Sequence, residues 1–231
     1  MQTLAITWLG HSAFRVRTPG GKELLFDPWY TGNPSFPQAA RPKSADLILV
    51  SHGHSDHITD AAAMAKQTGA TVVGIWEVTS WLGAKGVQHT EPMNKGGTIT
   101  VKGLRITMTD ARHSSSFDDS GIVYLGEPAG FVVKLENGQT IYYAGDTSLF
   151  GDMKLIGELY KPDIAFLPIG DRFTMGPDTA AMAAQWLGVK QVVPMHYGTF
   201  PLLTGTPGQL EQHLAGKGIE VLTLQPGETA Q

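Results

Sequence analysis

The heptapeptide SHGHSDH, residues 51–57, decides most of what this sequence predicts, because it places three histidines and an aspartate within six consecutive positions. Imidazole and carboxylate groups are ligands that divalent transition metals take in proteins. The apolar run LILV at residues 47–50 is typical of a buried strand, and an apolar helical pattern starts near Ile58. The cluster is therefore predicted on a turn between a strand and a helix, where a rigid scaffold often carries binding and catalytic groups.

Three more metal-type side chains follow predicted strands elsewhere in the chain. His113 comes after the run 104–109, Asp146 after 141–143 and His196 after 191–193. In layered α/β proteins, sites gather at strand ends, so convergence of these turns would bring together five histidines and two aspartates. Asp110 is an alternative carboxylate ligand beside His113. Without convergence, the heptapeptide alone would hold a single ion.

The organisation of the chain indicates one domain, residues 1–231, because no linker or composition break divides it. Strand patterns alternate with helical patterns throughout, which predicts a layered α/β architecture with two sheets covered by helices. Helices are predicted at residues 60–67, 77–84, 148–159, 178–187 and 207–217. Trp76 and Trp81 are predicted to face the core from a helix.

Composition excludes several classes of function. The net charge is −4 and no basic patch is present, so stable nucleic-acid binding is not expected. The absence of cysteine excludes disulfides, thiolate ligands and a cysteine nucleophile. No apolar run approaches the roughly 20 residues of a membrane helix, and the first residues lack the pattern of a signal peptide. We therefore expect a cytoplasmic protein without membrane contact.

The heptapeptide resembles the His-x-His-x-Asp-His signature of the metallo-β-lactamase superfamily, and His113, the GDT at residues 145–147 and His196 follow in that superfamily's order. WLGHSAF (8–14), FDPW (26–29), PIGDRFTMGP (168–177) and MHYGTFP (195–201) resemble a UPF0173-like bacterial branch of small metal-dependent hydrolases, related to the ascorbate-6-phosphate lactonases. The resemblance covers almost the whole chain. It implies a four-layer αββα sandwich, with two mixed sheets packed face to face and helices outside.

The resemblance also implies two divalent metal ions per chain. In this resemblance, one ion would be bound by His52, His54 and His113, and the other by Asp56, His57 and His196. Asp146 would bridge the two ions. Two cations roughly 3.5–4 Å apart can share a hydroxide and polarise the oxygen under attack, which predicts a hydrolase of an ester, lactone or phosphodiester bond. The formal charge of such a centre is positive, which favours an anionic small molecule. Zinc is the expected metal, with manganese, iron or nickel as alternatives.

Further roles carry open alternatives. Asp56 is expected to accept a proton from the attacking water as well as to bind metal. His11 is expected to protonate the leaving group, or else to be a satisfied histidine at the surface or core edge. Asp27 is expected to orient a ligand by hydrogen bonds, or else to cap a strand end.

Two late segments have the same ambiguity. Asp171, Arg172 and Thr174 would contact substrate or form a structured turn, and Tyr197 would polarise a substrate oxygen or pack against its neighbours.

Two competing functions also remain open from the sequence: a redox protein with a di-iron site on the same scaffold, and a non-catalytic metal-binding protein. The sequence is compatible with a homo-oligomer.

Overall fold

The computed structural model describes residues 3–231, and its elements alternate between strands and helices. In chain order they are β1 (Ala5–Trp8), β2 (Phe14–Arg17), β3 (Glu23–Phe26), β4 (Leu47–Val50), α1 (Ser55–Ile58), α2 (Ala61–Thr68), β5 (Thr71–Ile75), α3 (Trp76–Ala84), β6 (Thr90–Met93), β7 (Thr98–Val101), β8 (Leu104–Asp110), β9 (Ser116–Asp118), β10 (Ile122–Tyr124), β11 (Ala129–Lys134), β12 (Thr140–Tyr143), α4 (Met153–Tyr160), β13 (Ile164–Pro168), α5 (Pro177–Leu187), β14 (Gln191–Met195), α6 (Pro207–Leu214), β15 (Glu220–Val221) and β16 (Thr229–Ala230).

The first large sheet has the strand order β16-β1-β2-β3-β4-β5-β6. Its β16-β1-β2-β3 half is antiparallel, and β3 to β6 run parallel. The strand β4, Leu47–Val50, is buried at every position, because it lies inside the sheet with both faces covered. This strand leads directly into the heptapeptide.

The second large sheet repeats the plan with the order β15-β14-β13-β12-β11-β8-β7. The strands from β7 to β12 pair antiparallel, and β12 to β15 pair parallel. Since β8 and β12 both run antiparallel to β11, β8 points the same way as β12, β13 and β14. Their carboxyl ends therefore lie along one edge.

The two sheets pack face to face through a shared aromatic core. Phe166 of β13 lies 4.9 Å from Phe14 and 6.1 Å from Phe26, measured between ring centroids, and Tyr143 stacks on Phe26 at 4.7 Å. The helices α2 and α3 contact strands of the first sheet, and α5 and α6 contact strands of the second. The expected αββα sandwich is confirmed. Within residues 3–231, no helix has the length and apolar character needed to span a membrane.

Some sequence predictions of local structure were wrong. Trp76 was predicted in the core, yet it is 60% exposed, because α3 buries its opposite face through Val78, Thr79 and Leu82. The helix predicted from residue 148 begins only at Met153. The backbone N–H of Ser148 bonds instead to the carbonyl of Arg112, which ties this segment to the end of β8. The hairpin of β9 and β10 was not predicted.

Candidate metal centre

Four strand ends deliver the predicted ligands to one place. The parallel alignment of β8, β12 and β14 brings His113, Asp146 and His196 to the same edge of the second sheet. The heptapeptide follows β4 of the facing sheet, and its last residues form the short helix α1. The structure thus brings together all seven predicted side chains.

The first group of donors contains His52, His54 and His113, whose ligand atoms all lie within 4.8 Å of one another. His52 Nε2 lies 3.0 Å from His54 Nδ1. The remaining ring nitrogens face hydroxyls: His52 Nδ1 is 3.0 Å from Ser51 Oγ, and His54 Nε2 is 3.3 Å from Ser114 Oγ. When these outer nitrogens donate, two imidazole lone pairs face each other at 3.0 Å, an arrangement that a shared cation stabilises.

The second group contains Asp56, His57 and His196, and also His11, again with all ligand atoms within 4.8 Å. His57 Nε2 and His196 Nε2 each lie 3.8 Å from Asp56 Oδ2. His11 Nε2 lies 3.1 Å from the same oxygen. The sequence predicted His11 near the site but did not predict a direct contact with Asp56.

Asp146 lies between the two groups. Its Oδ2 is 2.9 Å from His196 Nε2 and 3.3 Å from His57 Nε2 on one side, and 3.7 Å from His113 Nε2 on the other. Asp146 is almost completely buried, so little water competes with the imidazoles for hydrogen bonds to this carboxylate. One oxygen atom is therefore within reach of imidazoles from both groups.

Asp27 lies behind the donors and is saturated with hydrogen bonds. Its Oδ1 accepts the Ser51 backbone N–H at 2.7 Å, and its Oδ2 accepts Ser51 Oγ at 2.6 Å, Tyr143 Oη at 2.7 Å and His57 Nδ1 at 2.8 Å. The bond to His57 directs the other nitrogen of that ring toward Asp146. Of the two alternatives drawn from the sequence, this geometry supports ligand orientation.

Two buried atoms indicate that a cation fits this donor set. Among the described residues, Asp146 Oδ1 has no hydrogen-bond partner, and His57 Nε2 lies 3.3 Å from Asp146 Oδ2 without the geometry of a hydrogen bond, although both atoms are inaccessible to solvent. Unpartnered buried polar atoms are costly, by about 1–3 kcal/mol each. Five imidazoles and two carboxylates are the donor chemistry of Zn²⁺, Mn²⁺, Fe²⁺ or Ni²⁺ sites. The residues present therefore fit one or more divalent transition-metal ions.

The electrostatics of the cluster agree with that fit. Burial opposes the charged form of His57, but the carboxylates of Asp146, Asp56 and Asp27 outweigh it and hold the pKa of its imidazole well above the usual value. Burial also opposes ionisation of Asp146, yet His196 and His57 hold the pKa of this carboxyl well below its usual range. The centre thus keeps its carboxylates ionised and favours positive charge beside them.

His11 and Asp110 have environments that bear on their predicted roles. His11 is completely buried, and burial together with the neighbouring His196 lowers the pKa of its imidazole to about 4. A neutral ring without access to solvent is poorly suited to protonate a leaving group near neutral pH. The Asp110 carboxylate is held by Lys95 and Arg112, so these two cations occupy the alternative ligand considered beside His113.

The other predicted substrate residues lie in turns and packing contacts. Tyr197 stacks on Trp8 with ring centroids 5.0 Å apart, and burial raises the pKa of its phenol to about 12. Asp171 is exposed and its Oδ1 accepts the backbone N–H of Arg172, while the Thr174 hydroxyl donates to the carbonyl of Met175. These contacts support the packing and structured-turn alternatives, and among the described residues no hydrogen bond or ion pair joins these three side chains to the donors described above.

A cleft of about 930 Å³ borders the centre on the side of His113. Its lining residues are Lys95, Asp110, Ala111, Arg112, His113, Ser114, Ser115, Ser116, Tyr124, Gly126, Glu127 and Pro128. The three donors with solvent exposure are His54, Asp56 and His113, whereas the others are buried. The centre therefore has three donors in contact with solvent, and one of them, His113, lines the cleft, whose volume suits a small molecule.

Sequence reasoning missed several residues that support the centre. Tyr143 reaches Asp27 from β12, and Thr199 lies 2.9 Å from His11 Nδ1. Ser51 is the first residue of the heptapeptide and contacts both Asp27 and His52. Ser51 could have been found from its place in the motif. Thr199 also lies in a quoted motif, MHYGTFP, but its partner could not be found, because Thr199 is 188 residues from His11, and Tyr143 is 116 residues from Asp27.

The chain is similar to known proteins over most of its length. A family model described as "Beta-lactamase superfamily domain" matches residues 22–197. The chain is 52% identical over 228 residues to a protein of Rubrobacter xylanophilus named "UPF0173 metal-dependent hydrolase", covering 96% of this chain and 94% of that protein.

Solved structures give the same result at the level of fold. The chain is similar to Igni18, a metallo hydrolase from the archaeon Ignicoccus hospitalis, with a TM-score of 0.88, 37% identity, and coverage of 99% of this chain and 98% of that one. It is also similar to CmlA, a diiron beta-hydroxylase from Streptomyces venezuelae, with a TM-score of 0.75, 14% identity, and coverage of 100% of this chain and 54% of that one. At that identity the likeness concerns the fold alone.

Proposed function

We propose, for a chain that belongs to the beta-lactamase superfamily and is a metal-dependent hydrolase, that catalysis uses two divalent cations. The bond that it hydrolyses in this proposal is an ester, lactone or phosphodiester bond. The substrate in this proposal is a small anionic molecule, and zinc is the expected metal. The premise disfavours the alternative of a non-catalytic binding protein.

The position of Asp146 is the observation that carries the two-cation proposal. A single ion would need three or four of the seven donors, and an ion held by His52, His54 and His113 would leave the buried atom His57 Nε2 without a partner. Two ions divide the set into His52, His54 and His113 on one side and Asp56, His57 and His196 on the other, with Asp146 Oδ2 within 3.7 Å of imidazoles from both groups. Every donor then has a partner.

When bound, such a pair of cations lowers the pKa of water and polarises the oxygen of the bond under attack. The residues of this chain supply the remaining functions. Asp27 fixes the ring of His57, and Ser51 fixes that of His52. Asp56 is partly exposed toward solvent, so its carboxylate is available to accept a proton from the attacking water.

The surroundings support an anionic substrate through net charge. Two divalent cations exceed the combined charge of the donor carboxylates Asp56 and Asp146 and of one shared hydroxide by one positive unit, and this excess favours an anion or an ester-like oxygen. Within the cleft the charges of Lys95 and Arg112 are balanced by Asp110 and Glu127, through the ion pairs that join them. The attraction for an anion therefore comes from the metal end of the cleft.

Removal and return of metal test this proposal. We expect hydrolysis to be abolished by exhaustive dialysis against a chelator, and to return when Zn²⁺ or Mn²⁺ is added. The substrate panel contrasts phosphorylated lactones with phosphodiesters and neutral esters, with product release followed directly. If a fully metallated sample hydrolyses no member of the panel, the proposed bond classes are wrong.

The redox alternative is tested on the same samples. Five imidazoles and two carboxylates also suit iron, and an iron-dependent oxidase would consume dioxygen in proportion to product. We expect the zinc-loaded protein to be active and dioxygen consumption to be absent. Activity only with iron, accompanied by dioxygen uptake, would favour the redox function.

A further inference from the structure

His11 has a left-handed backbone conformation, which few residues other than glycine adopt. It follows Gly10 between β1 and β2, and its φ of 56° is in the left-handed region, which is disfavoured for residues with a Cβ. Two hydrogen bonds hold it there: the His11 carbonyl accepts Trp8 Nε1–H at 2.9 Å and the backbone N–H of His196 at 3.1 Å. The backbone of one buried histidine thus fixes the backbone of another that belongs to the donor set.

The backbone of His196 is also left-handed, with a φ of 56°. The two histidine rings lie against each other, with centroids 4.1 Å apart and planes tilted by 46°. His196 Nε2 is directed toward Asp146 at 2.9 Å. The contact with His11 therefore constrains both the main chain and the ring of a predicted metal ligand.

Both nitrogens of the His11 ring have partners. Nε2 lies 3.1 Å from Asp56 Oδ2, and Nδ1 lies 2.9 Å from Thr199 Oγ1. An ionised carboxylate only accepts, so Nε2 carries the proton that it shares with Asp56. The Thr199 hydroxyl then donates to Nδ1, which selects this tautomer. In this arrangement the ring of His11 has no nitrogen left for a substrate.

From this geometry we infer that His11 is a positioning residue for the second cation, acting through Asp56 and His196. Its N–H fixes the orientation of the Asp56 carboxylate, and its carbonyl fixes the turn that carries His196. Asp27 has the corresponding role for His57 in the same group. This inference rests on the two-cation proposal, because it concerns the affinity of one of the two sites.

Metal affinity at each site tests the inference without any assay of activity. Purified full-length protein is stripped, then titrated with Co²⁺ and with Zn²⁺ against a chromophoric chelator, and metal per chain is measured after dialysis. In His11→Leu we expect one of the two binding steps to lose about 10- to 100-fold in affinity while the other changes little, since losses of this size follow removal of groups that orient ligands. In His11→Gln the side-chain amide can still donate to Asp56, so we expect most of the affinity to return.

The controls separate local from general effects. His11→Leu and His11→Gln share the same left-handed backbone, so strain at this position is common to both. His213 is exposed on α6, and the pair His213→Leu and His213→Gln should leave both binding steps unchanged. Should His11→Leu fail to fold, Thr199→Val provides the test, because loss of one hydrogen bond to the ring is expected to weaken the same step by about tenfold.

The outcomes distinguish this inference from the proposal beneath it. If the wild-type protein binds only one ion, the two-cation proposal fails. If the wild type binds two ions and His11→Leu binds both with unchanged affinity, the positioning role of His11 is wrong. Where His11→Leu does not fold, unchanged affinity in Thr199→Val has the same meaning. An equal loss in His11→Gln and His11→Leu would also overturn it, because the imidazole would then act as a ligand itself.

Discussion

Asp146→Asn is expected to lower the rate of hydrolysis by at least about a thousandfold, which corresponds to a loss of roughly 4 kcal/mol of transition-state stabilisation. The amide has one oxygen instead of two and no charge, so it cannot offset the positive charge held between His57, His113 and His196. We expect metal content to fall below two ions per chain in the same samples. The rate is measured on whichever member of the substrate panel the wild type hydrolyses.

The matched control for this variant is Asp152→Asn. Asp152 is exposed at the beginning of α4, and its side chain makes no capping hydrogen bond, so the same chemical change there should leave rate and metal content as in the wild type. Retention of two metal ions and of activity within tenfold in Asp146→Asn would contradict the bridging role of this carboxylate.

Asp27→Ala is expected to lower the free energy of unfolding by about 3–5 kcal/mol, the cost of breaking a buried ionic pair. The loss of the carboxylate leaves the Ser51 backbone N–H and His57 Nδ1 without their acceptor in a region closed to solvent. It also removes an acceptor of the Ser51 hydroxyl and one of the two acceptors of the Tyr143 hydroxyl, which keeps the Ser12 carbonyl. The measurement is urea unfolding with a chelator present throughout, so that the contribution of bound metal is removed.

Asp46→Ala is the control for that change. Asp46 precedes β4 in the same sheet, its Oδ2 accepts the backbone N–H of Glu23 at 2.9 Å, and its side chain is 34% exposed. Loss of a partly solvated hydrogen bond should cost about 1 kcal/mol. If Asp27→Ala is no less stable than Asp46→Ala, the hydrogen-bond network around Asp27 does not hold the donor turn in place.

Much of the site could be predicted from sequence because its parts follow strands. The apolar run at β4 predicted a buried strand, and the ligand-type residues directly after strands predicted where the site would lie. The convergence itself depended on strand direction, since β8 is aligned with β12 only through their shared antiparallel partner β11. Local patterns do not contain that pairing, so the strand ends predicted the seven donors only on condition that the turns converge. The division of these donors between two metal ions came from the resemblance to a known family.

The remaining features depend on contacts between distant parts of the chain. The pattern at residues 148–152 favours a helix, but hydrogen bonding of Ser148 to Arg112 delays α4 until Met153. His11 and Asp27 were recognised as polar residues near the site, yet their partners, Thr199 and Tyr143, lie more than a hundred residues away. Tertiary hydrogen bonds of this kind outweigh local propensity, and no local periodicity indicates them.

The central claim is that one carboxylate is shared by two cations, and anomalous scattering from crystals of the manganese- or zinc-loaded protein tests it most directly. We predict two anomalous peaks roughly 3.5–4 Å apart. One peak should contact His52, His54 and His113, the other Asp56, His57 and His196, and both should contact Asp146. A single peak in a fully loaded crystal, or two peaks of which only one contacts Asp146, would contradict the account.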